Sequence, residues 1–103
     1  MNSPILELVY RVIDELNEQF DGEKIIEKSE NTLLYGKSSI LDSLELINFI
    51  VLTEQKFEDE FNVHLVLADE RALQMRNNPF ENIRSFVEYI EMLCDEKHIS
   101  YYK

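Results

Sequence analysis

The side chain best suited to do chemistry is a serine. Ser43 stands in the run Leu41-Asp42-Ser43-Leu44-Glu45, where a stretch without periodicity gives way to a long apolar repeat. Asp42 suits the N-cap of a helix, and Glu45, three residues on, suits the return bond of a capping box. Ser43 then falls in the first turn, with its hydroxyl directed at solvent. Capping alone also accounts for each residue: Asp42 caps, the first turn tolerates Ser43, Leu44 packs and Glu45 closes the box. Other chemistries find less material. The single cysteine, Cys94, excludes an internal disulfide and a cysteine-built metal cage. Beside Ile90 and Leu93 it reads as a small core residue. His64 and His98 have no helical spacing to each other or to a carboxylate cluster, so no metal site is expected. No titratable triad or glycine-rich phosphate loop appears, and the acids lack the Ca²⁺-loop pattern with its central glycine. The chain is not expected to be an enzyme.

The elements that position Ser43 follow from apolar spacing. Ile5, Val9, Val12, Ile13, Leu16 and Phe20 recur every three or four residues, which predicts a helix over 4–20. Ser3 suits its N-cap and Pro4 its first position; Asp21-Gly22 ends it, with Gly22 able to turn left-handed. Over 22–41 the periodicity fades into a long loop. Ile25, Ile26, Leu33, Leu34 and Ile40 are its scattered apolar anchors, expected to pin it across one end of the bundle, and Leu33, Leu34, Ile40 and Leu41 are expected to pin the part that presents Ser43. A second helix is predicted from Asp42 or Ser43 to about Phe61. Leu46, Phe49, Ile50, Thr53, Phe57 and Phe61 form its core stripe. Leu44, Ile47, Asn48, Val51 and Gln55 form a second stripe, which suits a partner. Asn62 stops the helix. Val63, Leu65 and Leu67 alternate too briefly for a strand and read as an extended connector dipping into the core. Asp69 is expected to cap a short helix over 70–76, broken by Asn77-Asn78-Pro79. Asn78 is expected to cap the last helix, with Pro79 in its first position and Glu81 completing the box. Ile83, Phe86, Val87, Ile90 and Leu93 give that helix its stripe, and residues 95–103 extend it or fray.

The expectation is a single all-α domain over 1–103, a four-helix bundle of three long helices and one short one, with a long first loop. The chain has 103 residues, 45% of them apolar, and a net charge of −11. That apolar share separates it from a disordered acidic tail. A polyanion repels nucleic-acid phosphates and anionic lipid headgroups, so neither is an expected partner. No apolar run is long enough to span a bilayer and no leader pattern precedes the first helix. One cysteine fits a reducing, cytoplasmic setting, and a monomer is the default.

The order of these parts resembles the acyl carrier protein family: a long loop, Asp-Ser-Leu opening a long amphipathic helix, a helix stop, a short helix and a Pro-capped closing helix. The similarity covers residues 6–93, and Leu44-Glu45-Leu46-Ile47-Asn48-Phe49-Ile50 extends it beyond the tripeptide. The resemblance implies a four-helix bundle of acyl-carrier type and 4′-phosphopantetheine on Ser43, with a thiol that holds acyl or aminoacyl thioesters. A phosphodiester there is an anion at a helix N-terminus, which favours it. The implied partners are a phosphopantetheinyl transferase, an acyl- or aminoacyl-activating ligase, and acyltransferase or synthase enzymes. Their contact surface, carried over by position, is Asp42, Leu44, Glu45, Ile47, Asn48, Val51 and Glu54. An acidic surface steers such transient encounters.

The sequence also departs from the family. Fatty-acid carriers usually have acids where Asn48 and Gln55 stand, and Lys56 adds a positive charge nearby. Glu58-Asp59-Glu60-Phe61 lengthens the second helix by about one turn. Leu67-Ala68-Asp69-Glu70-Arg71-Ala72, followed by Asn78-Pro79-Phe80, is similar to stand-alone carriers of secondary or surface-polymer pathways. The alternative is an acidic helical adaptor that binds a basic protein through its second helix and carries no cofactor.

Overall fold

A computed structural model of the chain describes residues 3–68 and 78–101. Among these residues it is all-helical, with three helices: α1 Pro4–Phe20, α2 Ser43–Phe61 and α3 Ile83–Glu96. The short helix expected over 70–76, with its cap Asp69, lies outside the described residues.

The first helix begins where capping chemistry places it. The Ser3 hydroxyl accepts the Ile5 N–H at 3.1 Å, and Pro4 takes the first helical position. The same hydroxyl donates to Glu91 Oε2 at 2.6 Å, which ties the start of α1 to α3. Asp21 closes the helix in the left-handed region (φ 50°) and Gly22 follows it there (φ 84°). The apolar stripe of α1 is buried from Ile5 to Leu16 and faces both other helices.

The core joins that stripe to Phe49, Ile50 and Phe57 of α2 and to Ile83, Phe86, Val87 and Ile90 of α3. The rings of Phe49 and Phe86 lie tilted at 5.4 Å, and Phe80 adds a third ring 6.0 Å from Phe86. Thr53 of α2 is also fully buried, and its hydroxyl is satisfied by donating to the Phe49 carbonyl at 2.8 Å. Leu46 and Phe61, at the two ends of the predicted stripe, are only partly buried. Asn62 ends α2 with φ 58°. In the connector Leu65 and Leu67 are fully buried, Val63 is partly so, and Val66 faces out.

Two corrections concern the loops and α3. The last helix starts four residues later than expected: its N-cap is Asn82, not Asn78, and its box closes through Ser85, not Glu81. Asn78 instead organises a turn, its side chain accepting the Phe80 N–H at 2.9 Å. The physical reason is a competing partner. The Glu81 carbonyl accepts the Leu34 N–H at 2.8 Å, while the Ile83 and Arg84 N–H groups donate to the carbonyls of Thr32 and Glu30. The first loop thus takes up the free N–H groups at the start of α3. The anchors are also fewer than expected: Ile26, Leu34 and Leu41 are buried, while Ile25, Leu33 and Ile40 are exposed. Each exposed residue immediately precedes a buried one in non-helical chain. Successive side chains there point to opposite sides, so one of each pair enters the core. On α2, Lys56 pairs with Glu15 of α1 at 3.1 Å.

Past α3 the chain turns in a Schellman motif. His98 is left-handed (φ 57°), its N–H donates to Asp95, and the Ile99 N–H donates to Cys94 at 2.8 Å. Ile99 and Tyr101 pack against the core. The radius of gyration is 13.1 Å, as expected for a compact chain of roughly 100 residues. No helix among the described residues is long and apolar enough to cross a membrane.

Candidate functional site

The start of α2 is a closed capping box. Asp42 Oδ1 accepts the Glu45 N–H at 2.7 Å, and Glu45 Oε1 accepts the Asp42 N–H at 3.0 Å. Ser43 is therefore the first helical residue, and it is exposed. The turn before it is built by Ser39, whose hydroxyl accepts the Leu41 N–H and donates to the Leu33 carbonyl, each at 3.1 Å. Gly36 starts that turn with φ 107°, a conformation that disfavours any side chain.

A lysine locks this assembly. Lys24 Nζ donates to Glu45 Oε1 at 2.5 Å and to the Ile40 carbonyl at 3.1 Å, and sits 5.0 Å from the centre of the Phe20 ring. The hydrogen bond from Lys24, with that from the Asp42 N–H, holds the Glu45 carboxyl below the usual carboxylate range. Glu45 thus stays charged, and the last turn of α1, the loop and the cap of α2 share one ammonium. Sequence reasoning missed Lys24, because a lone lysine in a stretch without periodicity carries no signal of its distant partner.

Ser43 opens on a groove of about 410 Å³ lined by Leu34, Leu41 and Leu46 and by Tyr35, Gly36 and Lys37. Tyr35 and Lys37 were also missed for lack of any pattern around them. On the adjoining face of α2, Leu44 is 75% exposed, Ile47 57% and Val51 40%. With Glu45 and Asn48 they line a shallow hollow of about 440 Å³. The structure thus brings together Leu44, Glu45, Ile47, Asn48 and Val51, with Asp42 bordering the neighbouring groove. Glu54 is placed differently: its Oε2 accepts the Leu67 N–H at 2.7 Å, so its carboxylate pins the connector.

Other reactive groups are poorly placed. Cys94 is buried, and burial, followed by the nearby charges of Asp95 and Glu91, pushes its thiol up to about 11. Its sulfur stays a protonated core atom at neutral pH. Among the described residues no three of His, Cys, Asp and Glu converge as a metal ion would require.

Comparison of the chain with models of protein families, with curated proteins and with solved structures finds no match.

Proposed function

We propose that the protein is a carrier of the acyl carrier type. In this reading Ser43 bears 4′-phosphopantetheine and delivers acyl or aminoacyl intermediates to partner enzymes in a reducing, cytoplasmic setting, as a monomer. The observation that carries the reading is the exposed Ser43 at the first position of a box-capped helix of 19 residues, opening on a groove. The residues present fit the group: Ser43 is exposed, the helix N-terminus favours an anion, and the groove is lined by leucines and by Lys37.

Loading is a phosphoryl transfer. The Ser43 oxygen attacks the pantetheine-side phosphorus of coenzyme A, a new P–O bond forms, and the pyrophosphate P–O bond breaks. Adenosine 3′,5′-bisphosphate leaves with the electron pair, and the hydroxyl proton passes to a base on the transferase. The chain's own contribution is presentation, with Asp42, Glu45 and Lys24 holding the first turn in one geometry. The bound group supplies a thiol on which cargo is held as a thioester. A phosphopantetheinyl transferase, a ligase that activates the cargo, and acyltransferase or synthase enzymes are the partners this chemistry requires. Leu44, Ile47, Asn48 and Val51 are proposed to meet them.

The test is intact mass after incubation with coenzyme A and a broad-specificity phosphopantetheinyl transferase. One added phosphopantetheine, mapped to Ser43 and absent in Ser43→Ala, supports the reading. No addition to folded protein with several transferases overturns it. The exposed Leu44, Ile47 and Val51 favour one second reading, a cofactor-free adaptor for a basic protein. In that case Ser43→Ala changes nothing, while Leu44→Ala or Val51→Ala weakens partner binding.

A further inference from the structure

The groove beside Ser43 has a division of character that the capping box does not need. Its walls are apolar, from Leu34, Leu41 and Leu46. Tyr35, 59% exposed, and Lys37 also line it. Two charged residues line it, and they differ in availability. Asp42 is engaged by the Glu45 N–H. Lys37 is exposed and pairs with no carboxylate among the described residues, unlike Arg11, Lys24, Lys28, Lys56 and Arg84. In a chain of net charge −11, an unpaired cation next to an exposed serine is where an anion on that serine finds local compensation.

We infer that this groove seats the arm carried on Ser43, with Lys37 as the counter-ion of its phosphodiester and Tyr35 flanking its apolar part. The inference rests on the carrier reading and adds where the arm lies and which side chain holds its charge. The chemistry matches in order along the arm. A phosphodiester on Ser43 starts at the mouth, where the free N–H groups of α2 and the Lys37 ammonium both favour negative charge. Beyond it, a chain of dimethyl, methylene and amide groups meets leucine walls and the bare backbone of Gly36. A glycine leaves room there for amide groups to approach the main chain. Tyr35 supplies an apolar ring with a polar tip, suited to a ligand that alternates the two. The seat is shallow and open, so it holds the arm weakly and releases it to partners.

The experiment uses protein already shown by mass to carry the group, in wild type, Lys37→Gln, Lys37→Arg and Tyr35→Ala forms. Three readings are taken: amide shifts between unloaded and loaded protein, the ³¹P shift of the phosphodiester against salt, and the rate of arm-thiol alkylation by iodoacetamide. Seating predicts amide shifts at residues 34–37 as well as at 42–45. It predicts a salt-dependent ³¹P shift that Lys37→Gln removes and Lys37→Arg restores. A seated thiol reacts in proportion to its free fraction, so Tyr35→Ala is expected to speed alkylation on the order of threefold. Loaded protein with shifts confined to 42–45, and with ³¹P and alkylation behaviour unchanged by the variants, overturns the seat and leaves the carrier standing. Failure of Ser43 to load at all overturns both.

Discussion

Lys24 Nζ and Glu45 Oε1 lie 2.5 Å apart, and through this contact the first loop holds the start of α2. Glu45 uses the same oxygen to close the box on the Asp42 N–H. The cap of α2 and the path of the loop are therefore not independent. Disturbing Lys24 is expected to loosen the turn that presents Ser43 without touching the core.

Lys24→Met keeps an apolar stem near Phe20 but removes both hydrogen bonds. It is expected to speed amide exchange at Glu45 and Leu46 severalfold while leaving the amides of Val12 and Ile13 protected. The pH dependence follows from the direction of the Glu45 shift. Its carboxyl titrates lower folded than unfolded, so the contact stabilises the fold above the ordinary value of 4.5. That contribution is lost as pH falls through the lowered value. The stability difference between wild type and Lys24→Met is therefore full at neutral pH and shrinks below 4.5. Urea titrations at neutral and acid pH check it; a gap that widened on acidification would contradict the pairing.

Ser43→Ala leaves the Asp42 cap in place and is expected to unfold at the same urea midpoint as wild type. Asp42→Ala removes the side chain that accepts the Glu45 N–H and is expected to cost about 1 kcal/mol, with Asp42→Asn recovering most of it. The two positions separate function from structure. Under the carrier reading Ser43→Ala abolishes loading in a fully stable protein, whereas Asp42→Asn still loads.

Phe49 and Leu44 lie on opposite sides of α2. Phe49 is fully buried against Phe86, and Leu44 is three-quarters exposed. Phe49→Ala is expected to cost roughly 3–5 kcal/mol, a large part of the stability of a small domain. Leu44→Ala is expected to stay within about 0.5 kcal/mol of wild type. Equal losses in chemical denaturation would mean that the exposed stripe is covered in the free protein.

Cys94 is expected to ignore iodoacetamide in the native protein at pH 8 and to react once urea unfolds it, because its thiol is buried and titrates at about 11. Mass spectrometry of alkylated native protein reads this directly. A silent Cys94 is also what makes the alkylation of a thiol carried on Ser43 readable.

The helices were legible because their signals are local. Ser3, Pro4 and the stripe from Ile5 to Phe20 set α1 at both ends, and Asp42 with Glu45 set the start of α2. Exposure along α2 was legible for the same reason: Phe49 and Phe57 lie on one side of a regular helix and Leu44, Ile47 and Val51 on another. The start of α3 was misjudged at Asn78 because Asn78-Pro79 and Asn82 are both good local starts. Only the pairing of Leu34 and Thr32 with Glu81 and Ile83 decides between them.

What the amino-acid order determined by itself is therefore the all-helical class, the two ends of α1 and α2, and the position of Ser43 in a first turn. Each depends on neighbours within about one helical turn. What only the tertiary structure decided is which residue of Ile25-Ile26, Leu33-Leu34 and Ile40-Leu41 enters the core, where α3 begins, and that Lys24 reaches Glu45. It also decided that Glu54 is spent on the connector and that Tyr35 and Lys37 line the groove at Ser43. Contacts across a long loop without periodicity are set by the packing of the whole core around it.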